Sequence, residues 1–470
     1  MKAVVALAMV VALLLGLSAA CVWAAPCAQC NAELPDGAKF CPECGAKAQP
    51  ANCPKCQAKL PAGAKFCPEC GQKVDTSAAP TPEVRAAPGP RPKQRYEGIF
   101  PVALYGSGYG PLGEKDLESE AAREWQKRFL ETLKDLGFNT IAGSVPKGMI
   151  SLAEQAGMYV ITGGHDPKPL GKPDLTPEEA RTALADVDAV CREHKNVIAS
   201  ILYADPVKPE WLPAWRVYGG VWNQMHPDVP LLATYADAAQ WKQFDGAAPI
   251  GAAQGWVYKW RESTTWEQAL TPPVCIGPDC RGGRTAMPGL PIWPWIQCFG
   301  NGWGFRWPTT AEYRAAHHLI LVEGVRGALC FMWGQPRAGS PEFLANERNE
   351  PAQQLLDLKP IVREFGAIGT ELLGYEIDDS RPVSAGMGAA ASLYVHRTDP
   401  RKVYIMIASR DVEDPQEAPI SFDSRGEQGI TGLQDFMDHS VIPARYEGEN
   451  VVAKVELQPA AGRLLSLVMR

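Results

Sequence analysis

The chain predicts a multidomain protein: a (β/α)8 barrel, preceded by a duplicated cysteine unit and followed by a small antiparallel β-sandwich. Three observations carry that reading. Strand-like and helix-like runs alternate from Phe100 to Trp333, as in parallel strands joined by helices. Two C-x2-C pairs separated by ten residues occur from Cys27 to Cys44 and again from Cys53 to Cys70. After Tyr375, short strand-like runs follow one another with turn residues and no helices between them.

The barrel strands can be taken in order. Phe100 to Tyr105 is the first, ending at Gly106-Ser107-Gly108. From Ala122 to Leu136, the residues Trp125, Phe129, Leu130, Leu133 and Leu136 recur at helical spacing, so one face is apolar. Gly137 stops that helix and Phe138 to Ala142 forms strand two. Ile150 to Ala156 is a short helix halted at Gly157, with Met158 to Thr162 as strand three. Thr176-Pro177-Glu178-Glu179 is a capping box with proline at the first helical position, and its helix runs to about His194.

Strand four, Val197 to Tyr203, is almost continuously apolar, as burial on both faces requires. It stops at Ala204-Asp205-Pro206. Pro206 has no ladder donor and holds Asp205 extended, which puts that carboxylate at a strand exit. Trp211 to Met225 reads as helix, Val229 to Thr234 as strand five, Pro249 to Gln254 as strand six and Pro291 to Gln297 as strand seven. Thr309-Thr310-Ala311-Glu312 caps a helix to Val322, and Gly327 to Trp333 is strand eight.

An amphipathic helix, Leu355 to Phe365, follows. Then come strands at Ala390–Val395, Lys402–Ala408, Pro419–Phe422, Val451–Leu457 and Arg463–Val468. The expected limits are a barrel over 97–374 and a sandwich over 375–470.

Residues 1–25 have a basic start, an apolar run and small residues near the end, the profile of an export signal. Val22-Trp23-Ala24 suits ordinary cleavage. Ser18-Ala19-Ala20-Cys21 reads instead as a lipobox, and the uncleaved run is long enough to span a bilayer. An extracellular or cell-envelope location is expected, with membrane anchoring through the N-terminus left open. Residues 74–96 carry Pro80, Pro82, Pro88, Pro90 and Pro92 without apolar periodicity, and read as a semi-rigid linker.

The cysteine segment, 26–73, is an internal duplication. Leu34-Pro35-Asp36-Gly37-Ala38-Lys39-Phe40 returns almost unchanged as Leu60-Pro61-Ala62-Gly63-Ala64-Lys65-Phe66. Two residues between cysteines let a tight turn put both thiolates on one metal, and two such knuckles complete a tetrahedral site. Cys27, Cys30, Cys41 and Cys44 would form one set; Cys53, Cys56, Cys67 and Cys70 the other. The pattern resembles the double zinc ribbon family, which implies two structural Zn2+ sites whose metal supplies the folding energy. Disulfides are the competing use of these thiols in an exported chain. Cys275 and Cys280 are a further candidate pair.

A net charge of −7 argues against nucleic acid as partner. Fourteen tryptophans, most of them between Trp211 and Trp333, fall where barrel loops would lie. Aromatic rings there suit sugar faces, although core packing is their other use. No phosphate-binding glycine loop, H-E-x-x-H helix or local Ser-His-Asp signature is present.

Several stretches together resemble the glycoside hydrolases of the large (β/α)8, TIM-type superfamily. They are Phe100-Pro101-Val102-Ala103-Leu104-Tyr105, Leu136-Gly137-Phe138-Asn139-Thr140, the exit Asp205-Pro206, and the run from Thr310-Ala311-Glu312-Tyr313-Arg314 to Trp333. The resemblance implies a proton donor at the end of strand four, a position Asp205 matches with Asp in place of the usual Glu, and a carboxylate at the end of strand seven, where Gln297 stands instead. Asp166, Asp237 and Glu262 are the other candidate acids; Asp166 and Asp237 could equally cap helices, and Glu262 could be a solvated loop charge. Tyr105, His165, Trp256, Trp295, Gln297 and Trp333 are the candidate substrate contacts. The expected function is an exported, glycoside hydrolase-like protein acting on a polysaccharide or oligosaccharide. The alternative is a catalytically inactive carbohydrate-binding or envelope scaffold protein with the ribbons as its interaction module.

The cysteine spacing predicts that metal analysis of the purified full-length chain returns about two zinc ions per chain. Cys41→Ser combined with Cys44→Ser should halve that content. Metal-free protein with its thiols oxidised would support disulfides instead.

Overall fold

The computed structural model describes residues 69–70, 92–163, 172, 174–203, 209–235, 238–244, 247–253, 265–269, 278–302, 304–334 and 341–470. The chain divides into two compact units, Met1–Arg91 and Pro92–Arg470. The expected export signal and most of the linker lie outside the described residues, as do all the ribbon cysteines except Cys70.

Eight parallel strands form the first sheet of the second unit. They are β1 (Val102–Gly106), β2 (Thr140–Gly143), β3 (Tyr159–Thr162), β4 (Val197–Tyr203), β5 (Leu231–Tyr235), β6 (Ile250–Ala253), β7 (Trp295–Gln297) and β8 (Ala328–Trp333). They pair in the order β6-β5-β4-β3-β2-β1-β8-β7. The ends of that order meet where Gly251 bridges Ile292 in parallel. Gly251 N donates to Pro291 O at 3.1 Å and Trp293 N to Gly251 O at 2.9 Å. Glycine is required at the seam, because a Cβ on Gly251 would lie 2.8 Å from the Trp241 ring.

Strand seven is shorter than expected. Pro291 and Pro294 carry no N–H, so the stretch before Trp295 offers carbonyls to β8 but cannot form a full ladder. Leu329 N donates to Pro294 O at 2.9 Å, and the regular strand begins only after it.

Helices follow the strands: α1 (Glu120–Leu136), α2 (Lys147–Gln155), α3 (Pro177–Glu193), α4 (Leu212–Met225), α5 (Ala238–Lys242), α6 (Trp266–Ala269), α7 (Pro278–Ala286), α8 (Thr310–Val322), α9 (Gln353–Asp357) and α10 (Lys359–Glu371). Ser119 accepts from Ala122 N to start α1, and Gly137, at φ 101°, ends it. Both expected capping boxes form, Thr176 with Glu179 and Thr309 with Glu312. The single helix expected over Leu355–Phe365 is two, because Pro360 opens the second and cannot continue the first.

Inside the barrel, Ala103, Ala142, Ala199 and Ala252 make room for the indoles of Trp293 and Trp295. Tyr96 meets Trp293 edge-on at 5.7 Å, on the side where the chain enters β1. Arg95 fixes that entry, with Nη1 donating to His194 O (2.9 Å) and Nε to Asp228 (2.7 Å). A larger apolar layer separates the strands from the helices.

The second sheet is antiparallel and has eight strands. These are β9 (Tyr375–Ile377), β10 (Ala389–His396), β11 (Val403–Ser409), β12 (Gln416–Asp423), β13 (Ile430–Asp435), β14 (Val441–Glu447), β15 (Asn450–Leu457) and β16 (Gly462–Met469). Their order is β12-β15-β14-β13-β16-β11-β10-β9. The sheet curls over one apolar core until Ser384, ahead of β10, bridges Ser421 of β12. That enclosure is sandwich-like, as expected. The sequence signal missed β9, β13 and β14 for physical reasons. β9 is three residues long, β13 carries Gly432 at its centre, and β14 is mostly exposed and contains Pro443.

The two sheets meet at α8. His318 Nδ1 lies 3.3 Å from Ala460 O, and Tyr394 donates its hydroxyl to Leu321 O. Gly462 has no room for a side chain, since a Cβ would sit 2.4 Å from His318 Cγ. Beside it His317 is fully buried, with Nδ1 donating to Tyr313 O at 2.7 Å. Burial lowers the His317 pKa from 6.5 to about 4. Burial raises Glu364, but His318 and Arg314 outweigh it and hold that carboxyl at about 2.

In both cases the folded chain binds fewer protons than the unfolded one, so stability is present at neutral pH and lost on acidification. The His317 contribution should vanish between pH 6.5 and about 4, a loss on the order of 2–3 kcal/mol. Urea titrations across that range check it. His317→Leu should reduce the pH dependence there, leaving the part due to His226, which burial also lowers, and the drop at lower pH to which Glu364 contributes.

Candidate functional site

The C-terminal ends of the barrel strands form the mouth. Along β7, β8 and β1 it is walled by aromatic rings. Tyr105 and Phe331, both half-buried, stack at 5.4 Å with planes 15° apart. Trp295 stands edge-on to them at 5.0 and 5.8 Å. Phe299 continues the wall to Phe331 at 6.0 Å and to Phe305 at 5.2 Å. These rings converge because Tyr105 and Phe331 are direct neighbours in register, as are Phe331 and Gln297.

Of the expected substrate contacts, Tyr105 alone is both described and partly open to the mouth. Trp295 has 1% exposure and donates Nε1 to Thr234 Oγ1 at 3.1 Å, so it supports the wall from beneath. Trp333 is fully buried on the other side of the strand, 4.4 Å from Phe129 of α1. Simple alternation would have turned it inward with Phe331. A register shift between Tyr105 and Gly106 pairs Gly106 with Trp333 and leaves Met332 as the extra residue. One inserted residue reverses the facing of everything after it.

Gln297 is also fully buried. Its Nε2 donates to Phe299 O at 3.0 Å and Arg306 O at 3.1 Å, and Tyr313 donates its hydroxyl to the Gln297 carbonyl. Through Nε2 the side chain holds the loop after β7 in place. His165 and Trp256 lie outside the described residues.

The loops around the wall are tied down by polar contacts that the sequence did not single out. Arg306 grips Glu312 with two bonds, at 2.8 and 2.7 Å. Glu342, an exposed carboxylate after β8, accepts from Asn301 Nδ2 at 2.8 Å and Trp307 Nε1 at 3.1 Å. Asn349, held at φ 57°, donates to Gly108 O at 3.0 Å and to Gly110 O, joining the loop after β8 to the loop after β1. Tyr109 donates to Ala142 O at 2.8 Å. Burial, then the neighbouring Tyr105, pushes the Tyr109 hydroxyl well above its usual pKa, so it acts as a neutral donor.

The candidate acids Asp166, Asp205, Asp237 and Glu262 lie outside the described residues. In the sequence they follow the ends of β3, β4, β5 and β6 by four, two, two and nine positions. Those four strands are consecutive in the sheet and lie across the order from β7, β8 and β1. Their described inner surface carries hydroxyls, with Thr162 Oγ1 donating to Ser200 Oγ at 2.9 Å. Cys275 is also outside the described residues, and Cys280 is buried.

Residues 27–71 match the family model described as double zinc ribbon. No curated protein matches the chain in sequence. Among solved structures, an α-amylase from Anoxybacillus, described as a new glycosyl hydrolase subclass, is 10% identical with a TM-score of 0.51. It aligns over 79% of this chain and 98% of its own. A debranching enzyme from Nostoc punctiforme is 12% identical with a TM-score of 0.52, over 80% of this chain and 99% of its own. A glycoside hydrolase family 5 protein from Bacteroides vulgatus is 12% identical with a TM-score of 0.52, over 79% and 90%. At these identities the likeness is one of fold: a TIM-type barrel with an antiparallel sheet behind it.

Gln297→Leu should destabilise the chain by about 2 kcal/mol, because one buried and one part-buried carbonyl lose their donor. Thermal denaturation measures it. An unchanged midpoint would mean the loop after β7 does not depend on the amide.

Proposed function

We propose that the barrel is an exported glycoside hydrolase acting on a polysaccharide or oligosaccharide. One observation carries the reading: on a fold shared with glycoside hydrolases, a half-buried aromatic wall stands on β7, β8 and β1, across from the strands whose exits lead to four candidate carboxylates. Stacked rings bind the apolar faces of sugars. Hydrolysis needs one carboxylic acid to protonate the leaving oxygen and a second carboxylate to attack the anomeric carbon or activate water.

Asp205 takes the acid role, and the second group comes from Asp237, Asp166 or Glu262. Tyr105 and Phe331 would receive the sugar ring, with His165 and Trp256 as further contacts. The cysteine sets at Cys27, Cys30, Cys41 and Cys44 and at Cys53, Cys56, Cys67 and Cys70 would each hold one structural Zn2+. The first 25 residues would direct export and could leave the protein anchored at the envelope.

A second reading, carbohydrate binding without hydrolysis, is favoured by Gln297. The exit of β7 carries an amide committed to backbone carbonyls and no acid between Trp295 and Gly302.

Asp205→Asn separates the two. Reducing-end release from a polysaccharide substrate should fall by roughly 10²–10⁴-fold while circular dichroism and glycan binding persist. Undiminished release would sink the catalytic assignment. A wild-type chain that binds glycans and releases no product establishes the second reading.

A further inference from the structure

A cleft of about 910 Å3 opens at the end of the barrel opposite the mouth, against the start of the second sheet. Its size is that of a small-molecule site, roughly 300–1,000 Å3. The walls come from chain leading into β1 (Tyr96, Ile99), β7 (Ile292) and β8 (Arg326), and from Ile377 of β9.

Three arginines line it, and one differs from the others. Arg284 is matched by Asp379, and Arg397 by Glu376 at 3.0 Å. Arg326 forms no ion pair among the described residues; its Nη1 donates to Leu372 O at 2.6 Å and its Nη2 to Tyr375 O. Two carbonyls orient the guanidinium without neutralising it, and burial works against its charge. Lys93, exposed on the same cleft, also has no ion pair among the described residues. A positive group fixed beside apolar walls selects a ligand of matching character, since guanidinium pairs most strongly with carboxylate.

We propose that this cleft binds a small organic carboxylate, with its charge against Arg326 and its apolar body between Ile99 and Ile377. The site sits under the barrel's weakest join. Arg326 N donates to Ile292 O at 2.9 Å, and Ile292 is the residue that bridges β6. Occupancy therefore braces the seam and reads out as thermal stability.

The test uses the full chain, benzoate as probe and benzamide as its uncharged counterpart, followed by calorimetric titration and thermal denaturation. Benzoate should bind with one site per chain and raise the Tm, and benzamide should bind at least about tenfold more weakly. Arg326→Met should abolish binding. Because Arg326 also orders two carbonyls, a second pair of variants carries the test independently. Thr285 is exposed on α7 at the cleft edge. Thr285→Lys should tighten benzoate, and Thr285→Glu weaken it, each by roughly three- to tenfold. The proposal is overturned if benzoate produces no heat or Tm shift at millimolar concentration, or if benzamide matches it. It is equally overturned if inorganic phosphate binds more tightly, or if the Thr285 variants bind alike.

Discussion

The barrel depends on one join. Seven of its eight strand-to-strand contacts are ladders of three or more paired residues, and the eighth is the single bridge between Gly251 and Ile292. A parallel sheet buried on both faces tolerates no open edge. The bridge lies where Pro291 and Pro294 limit pairing, and it is reinforced from within. Trp293 and Trp295 fill the interior beside it, and small residues on the facing strands give them room. Aromatic volume closes what hydrogen bonds close only in part.

That division of labour explains what could be read from the chain. Continuous apolar runs such as Val197–Tyr203, capping boxes at Thr176 and Thr309 and the stop at Gly137 each have a local cause, and each element formed where the residues placed it. Features decided by partners distant in sequence were not legible. The bulge at Met332 exists only in the pairing of β8 with β1, so no periodicity within β8 could show Trp333 turning away from Phe331. Glu342 is a lone loop carboxylate until Asn301 and Trp307 meet it. In the second sheet, β14 has no apolar stripe of its own and takes its place from its neighbours β13 and β15.

The two ends of the barrel have opposite characters. The described part of the mouth is lined by rings and hydroxyls, with its tethering ion pairs set back in the loops. The far end concentrates arginine around glycine-rich chain, as at Gly98, Gly289 and Gly324. Among the described residues, the second sheet meets the barrel at that far end, at the α8 flank, where Gly462 lets His318 approach, and at α6, where Trp266 Nε1 donates to Arg410 O at 2.6 Å.

The setting of Gln297 bears on how this barrel could change over time. A glutamate there has nearly the same shape, but it would aim a negative oxygen at the carbonyls of Phe299 and Arg306. The loop that the amide supports thus disfavours an ionised acid in its place and would raise the pKa of one. An ionised acid at that strand exit would be favoured only if the carbonyls of Phe299 and Arg306 turned away from it. For the proposed hydrolysis, the candidate carboxylates are those that follow β3, β4, β5 and β6 in the sequence.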